Sequence, residues 1–368
     1  MAKQAEKKPS FFAGTMSFLS WCAVLLLWVS AAGIYLHPAL FKWVQLLELA
    51  FPLLLGFTLL CFVLSLLLAP RQAWIAFVGI MACIGSVRDY CPVNLTSPPP
   101  KGCIKVLTYN VMGYAVREKE SDGRYVIPAY IADNRADIVC CQEVAAGIYE
   151  ETFGRFMPSK GYFADTISVG ENILCCFSRF KIVRKQPVFV DKGNGCGAFW
   201  LLMDSGDSLV VLNTHLASNH LSSEERSHYH HLVKDADSLE NALSGRSLQI
   251  LSKLTDAAVQ RARQADTVID FMERLGGERK SFIVCGDFND TPVSYAHHLF
   301  CNRLTDVYRA TANGIGRTFN RNAMYVRIDH IFCSQEWKPF ACTVDRAIVT
   351  SDHYPVFCYL KRSGNGGK

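Results

Sequence analysis

Pro9 to Phe41 contains no Asp, Glu, Lys or Arg, and that charge-free stretch constrains the chain more than any other feature. Inside it, Met16–Leu36 is 21 mainly apolar residues, enough to cross about 30 Å of hydrocarbon as a helix. Leu49–Ala69 is a second such run, with Pro52 near one end, and Ala73–Val87 a shorter third of 15 residues. A cleaved signal peptide fits the first run poorly, because the run exceeds a 7–15-residue signal core and another follows at once. A buried hairpin of a soluble protein is excluded by Leu49–Ala69, which is apolar on every face. About three transmembrane helices are therefore expected in residues 1–90.

Sidedness follows from basic residues next to the spans. Lys3, Lys7 and Lys8 precede the first, while the two loops carry Lys42 and Arg71. Three spans place the remainder outside the cytoplasm; a third run lying only in the interface would place it inside. Pro92–Gly102 (PVNLTSPPPKG) reads as a semi-rigid polyproline spacer with a formal glycosylation triplet at Asn94. Residues 103–362 have ordinary soluble composition, and 363–368 form a Gly-rich tail read as disordered. The net charge of +5 is spread along the 368 residues, so it permits acidic substrates without demanding nucleic acid. Most of the 15 cysteines sit in apolar runs and read as core, with no zinc-like spacing; Cys91, Cys103 and Cys196 leave room for a disulfide.

Within the soluble part, strands are expected at Ile104–Tyr109, Ile138–Cys141, Glu171–Ser178, Gln186–Val190, Ala198–Met203, Ser208–Asn213, Ser281–Cys285, Val326–Cys333, Ala347–Val349 and Phe357–Leu360. Tyr125–Asn134 has helical spacing. So does the second half of His220–Leu275, through Leu251, Leu254, Ala258, Ala262, Ala265, Ile269 and Met272. Strands with turn-rich connections suggest two packed sheets flanked by helices, an α/β (α+β) arrangement. Polar residues follow these apolar runs in order: Asn110, Glu143, Asn213 with His215, Asp287 with Asn289, Asp329 with His330, and Asp352 with His353. Carboxylate and amide oxygens suit Mg²⁺ or Mn²⁺, and histidines among them suit phosphate binding and proton transfer.

Seven segments carry a resemblance. LTYNVMG, DIVCCQEV, ILCCFSRF, VLNTHL, IVCGDFND, RIDHIFCS and SDHYPV, in that order between about Lys105 and Tyr359, resemble the signatures of the endonuclease/exonuclease/phosphatase superfamily. The resemblance implies a four-layer α/β/β/α sandwich of the DNase I type and a metal-dependent phosphoester hydrolase. It implies that Glu143 is the central metal ligand, with Asn110 positioning metal and phosphate and Asp352 supporting a metal position. Asp287 would deprotonate the attacking water and Asn289 fix nucleophile or phosphate. His353, oriented by Asp329, would stabilise phosphoryl charge, and His215 would contact phosphate and assist the leaving group. Asn213 is either a phosphate contact or a cap of the strand-to-loop turn, and Arg179 either functional or a structural ion-pair partner. His330 points to the face opposite Asp329 and reads as structural. His228, His230 and His231 read as solvated surface.

The substrate stays open between a lipid head group or small phosphoester and a nucleic acid, with a non-catalytic scaffold as the outlying alternative. Acidic residues alternate with Arg226, Lys234, Arg246, Lys253, Arg261 and Arg263, unlike a nucleic-acid track. The expected partners are the phosphoester and, through the N-terminal helices, the bilayer; no obligate protein partner is inferred.

Overall fold

The computed structural model describes residues 11–219, 224–225, 245–276, 280–321 and 326–363; the N-terminal lysines, the His228–His231 run and the tail after Ser363 lie outside them. The chain begins with helices α1 (Phe11–Ala32), α2 (Val44–Leu49), α3 (Phe51–Leu68), α4 (Ala73–Ala82) and α5 (Ile84–Tyr90). Pro52 sits in the first turn of α3, where a missing N–H costs nothing. The α1 region, Phe12–Tyr35, and α3 are each long and apolar enough to cross a membrane. The expected third span is not one straight helix. Pro70–Ala82 and Ile84–Tyr90 meet at an angle of 66°. At the break, Cys83 N–H bonds Ile80 O, three residues back, and its thiol lies 3.5 Å from Gly79 O. A side chain entering the helical ladder is a recognised cause of such a bend.

The helices pack through small residues. A Cβ on Gly79 of α4 would fall 2.3 Å from Val24 of α1, and Trp28 Nε1 donates to Gly79 O at 2.8 Å. Close backbone approach of this kind drives association where no hydrophobic effect operates between helices. Leu25, Leu26, Val29, Leu59, Leu60 and Phe77 face outward.

From Ile104 the chain forms two six-stranded sheets. One has the order β11-β12-β1-β2-β4-β3 and the other β5-β6-β7-β8-β10-β9. The strands are β1 Ile104–Gly113, β2 Ile138–Ala145, β3 Phe163–Val169, β4 Asn172–Ser178, β5 Lys181–Asp191, β6 Asn194–Leu202, β7 Ser208–His215, β8 Ser281–Asp287, β9 Thr305–Asp306, β10 Asp329–Cys333, β11 Trp337–Val344 and β12 Val356–Arg362. β1 pairs parallel with β2, and β7 parallel with β8; the other pairings are antiparallel.

Val106, Ile138, Cys140 and Cys176 of the first sheet meet Phe199, Val211, Ile283 and Cys285 of the second in the central core. Helices α6 (Val126–Asn134) and α7 (Phe156–Ser159) cover the first sheet's outer face. Helices α8 (Gly245–Arg274) and α9 (Tyr295–Cys301) cover the second's; α10 (Val307–Thr311) packs on β11. The result is the expected four-layer α/β/β/α sandwich. The expected α8 stripe is largely buried, from Leu254 through Met272.

Two readings need correction. Ala347–Val349 is loop, because Asp345 Oδ1 takes the Ala347 N–H and Ile348 alone enters the core. The strand before it is β11, whose Pro339 masks it in sequence and is tolerated because β11 is an edge. The spacer is not free: Asn94 Nδ2 donates to Arg309 O and Ala312 O, and Gly314 N–H to Pro92 O, so the triplet's asparagine is already engaged. All 15 cysteines are free.

Candidate active site

The two parallel pairs bring the C-terminal ends of β1, β2, β7 and β8 to one edge of the sandwich. Register sets His215 and Asp329 directly opposite Asp287. Glu143 sits at φ 56°, a left-handed conformation uncommon for a residue with a side chain, where the β1–β2 ladder shifts register. That local strain turns its carboxylate toward the cavity, and the carboxylate is 31% exposed.

Asn110 organises the carboxylates: its Nδ2 donates to Glu143 Oε1 and Asp287 Oδ2, both at 2.9 Å, while its Oδ1 accepts Met112 N–H at 3.1 Å. His215 Nε2 lies 3.3 Å from Glu143 and 3.8 Å from Asp287. Asn289 donates its N–H to Asp287 Oδ1 at 2.8 Å and its amide to Leu216 O at 3.0 Å. His353 Nδ1 lies 2.8 Å from Asp329 Oδ2, and Nε2 3.6 Å from Asp287.

Burial pushes the Asp287 carboxyl up to about 6, since His353 and His215 offset only part of the desolvation and Asp329 adds to it. For His353, burial alone would lower the ring's pKa. Asp329 and then Asp287 outweigh it, pushing it up to about 10.

Asp352 lines the same cavity without joining the tight cluster. Asn213 is not in the cavity: its Nδ2 donates to Cys141 O and Cys175 O, and its Oδ1 accepts from Gln142, a fully buried tie between the sheets. Arg179 stacks on Tyr162 at 3.8 Å, away from the site. His330 points away as expected, into a buried group with His297, Asp306 and Arg327. The sequence reading missed Asn194, whose Nδ2 lies 3.4 Å from His215 Nε2, and Ser351, which anchors Asn110 O at 2.7 Å. Neither stands out locally, because a turn Asn and a loop Ser are common.

Three groups of possible ligand atoms lie within 4.8 Å of one another among the described residues. Glu143, His215 and Asp287 offer two oxygen donors beside a cavity, which fits a hard divalent cation. In the second, Asp329 holds His353 Nδ1, tying that pair to each other. In the third, Arg327 Nη1 lies 3.0 Å from Asp306 Oδ2, so a guanidinium already supplies the positive charge.

The cavity has a volume of about 560 Å³. Its floor is Glu143, Asp287, Asn289 and His353; a side wall comes from α2, between the two helices long and apolar enough to cross a membrane.

The family model described as endonuclease/exonuclease/phosphatase family matches residues 107–353. A model described as a domain of unknown function matches residues 13–90. The fold is similar to the catalytic domain of human Nocturnin, solved with bound sulfate, at 18% identity and TM-score 0.51, covering 72% of this chain and 96% of that one. It is equally similar to an endonuclease/exonuclease/phosphatase from Bacteroides vulgatus, at 18% identity and TM-score 0.51, covering 71% and 100%. No curated protein matches the sequence.

Proposed function

The chain belongs to the endonuclease/exonuclease/phosphatase family, whose members are generally phosphoester-cleaving hydrolases, and from that we propose a membrane-anchored, divalent-metal-dependent phosphodiesterase. The observation carrying the proposal is the convergence of Glu143, Asp287 and His353 on the floor of one cavity, with His215 Nε2 3.3 Å behind Glu143.

In the proposed roles, Asp287 accepts the proton of the attacking water, and its raised pKa makes it an effective base near neutrality. Asn289 fixes Asp287, and Asn110 holds Asp287 and Glu143 in common register. His353, kept cationic by Asp329, faces the charge that develops on the phosphoryl oxygens. His215, steadied by Asn194, is the group for the leaving oxygen. Glu143 would hold Mg²⁺ or Mn²⁺, with Asp352 in support; when bound, the cation neutralises phosphoryl oxygens as a Lewis acid.

Sidedness also belongs to the proposal. His37 Nε2 lies 3.0 Å from Asp266 of α8, so the loop after α1 lies on the side of the catalytic domain. The start of α1 and the Arg71 turn then lie on the other side. Since Lys3, Lys7 and Lys8 precede that end of α1 in sequence, the positive-inside rule supports an extracytoplasmic catalytic domain. A nuclease reading gains no support at the cavity, where Arg261 is 3.1 Å from Asp290.

The test is Mg²⁺- or Mn²⁺-dependent turnover of bis-p-nitrophenyl phosphate by the full chain in detergent. Glu143→Gln and Asp287→Asn should each lower kcat by about 10²–10⁴. A folded variant within tenfold of the parent refutes the assignment.

A further inference from the structure

Helix α2 is bounded at both ends by membrane-crossing helices, yet it closes the side of the catalytic cavity. Several contacts fix it there. Gly33 permits the approach, since a Cβ would fall 2.4 Å from Glu48 Oε1. Ser30 Oγ donates to Leu47 O at 2.6 Å, and Lys42 Nζ reaches Asp256 at 3.4 Å. Val293 of the catalytic domain is buried in one cluster with Leu27, Phe51 and Leu55 of the membrane helices.

The wall so formed is mostly apolar; α2 also contributes Gln45 and Glu48, which are buried and bonded to each other at 2.8 Å. Half-buried Leu46 and Leu49 of α2 line the cavity together with Leu254 and Ala258 of α8 and Val293. The same loop turns Leu40, Phe41 and Trp43 outward, each more than half exposed, as an interfacial belt does. The cavity is thus polar at its floor and mostly apolar along the wall beside the N-terminal helices, where Gln45, Glu48 and Arg261 are the polar exceptions. A wholly polar phosphoester gains nothing from such a wall, whereas an alkyl chain gains with each methylene it buries.

We propose that the substrate is a bilayer-resident lipid phosphodiester. Its phosphate meets Glu143, Asp287 and His353, and the first part of its tail lies against Leu46, Leu49, Leu254, Ala258 and Val293. This rests on the phosphodiesterase reading and adds the substrate class. Water attacks phosphorus and passes its proton to Asp287. One P–O ester bond breaks, its electron pair leaves on the alcohol oxygen, and that oxygen is protonated. The products are a phosphomonoester and an alcohol.

The test uses the full chain in mixed micelles with Mn²⁺. Dioleoyl and dihexanoyl phosphatidylglycerol and phosphatidylethanolamine are compared with their deacylated glycerophosphodiesters, and bis-p-nitrophenyl phosphate is run alongside. At least one head group should show kcat/KM 100-fold or more above its deacylated form, with the dihexanoyl ester between. Leu46→Asp should lower that ratio at least tenfold. Should Leu46→Asp fail to fold, the chain-length series in the parent protein decides. Equal or absent turnover of the acylated forms by an enzyme active on bis-p-nitrophenyl phosphate overturns the lipid assignment and leaves the hydrolase reading standing. Metal-dependent turnover of none of these overturns both.

Discussion

Arg327→Leu should be among the most damaging substitutions outside the catalytic cavity. Arg327 is 1% exposed, its Nη1 is 3.0 Å from Asp306 Oδ2, its Nη2 donates to Asp89 O at 2.6 Å, and its guanidinium lies 4.3 Å over the Tyr308 ring. Asp306 is fully buried and also caps α10 through the Tyr308 and Arg309 N–H groups. Removing one partner of a buried pair costs about 3–5 kcal/mol, because the other charge is left uncompensated. His297, 3.0 Å from Asp306, remains as a second cation and holds the loss near the lower bound, about 3 kcal/mol. At roughly 2–4 °C per kcal/mol for a domain of this size, Tm should fall by about 6–12 °C.

Raising the pH should weaken parent and variant alike. For His297, burial alone would lower the pKa; Cys301 and Asp306 reverse this and push it up to about 10. A folded pKa above the unfolded one stabilises fully below about 6.5, and that stability is lost as pH rises through about 10. His297 is present in both proteins and stays protonated in the folded state across that window, so both lose stability with the same slope and the deficit should stay level between pH 7 and 10. Thermal unfolding of the full chain in detergent, followed by tryptophan fluorescence at pH 6 to 10, measures it. A Tm within 2 °C of the parent at pH 7 refutes the reasoning.

Glu143→Gly should abolish turnover while holding or raising Tm, because it relieves a left-handed backbone worth about 1–2 kcal/mol; paired calorimetry and kinetics check it. Gly286→Ala should give no folded protein on size-exclusion chromatography, since at φ +143° its Cβ would fall 1.8 Å from Thr214 O. Asn213→Leu should cost about 1–3 kcal/mol in thermal unfolding by removing the bonds from Asn213 to Cys141 O and Cys175 O and from Gln142, whose amide keeps only Thr108 Oγ1 and Cys140 O.

The site was more legible in the sequence than the fold around it. Asn110, Glu143, His215, Asp287, Asn289, Asp329 and His353 each follow a short apolar run, and a strand that ends in a polar residue marks itself. Edges were harder. β3 (Phe163–Val169) has a half-exposed pattern, and β11 carries Pro339, so neither shows the alternation of a central strand. Asn213 misled for the opposite reason. It too ends an apolar run, but β7 continues two residues past it and its side chain turns between the sheets. Register, which decides the face, is set by the partner strand and not by β7 itself.

The anchor's part in the cavity could not be read locally at all. Hydropathy identifies α1 and α3 because spanning a bilayer is a property of one segment. Closing a cavity is a property of two segments more than 200 residues apart, such as Leu46 and Leu254. The connecting chain read as a spacer because its composition is that of one, yet Pro92 and Asn94 are bonded to the domain and Arg327 grips Asp89 O at the end of α5. The chain between α5 and β1 is therefore fastened to the sandwich at Asp89, Pro92 and Asn94. A tether alone would need none of these bonds; a catalytic cavity with one wall from α2 needs that wall held in place.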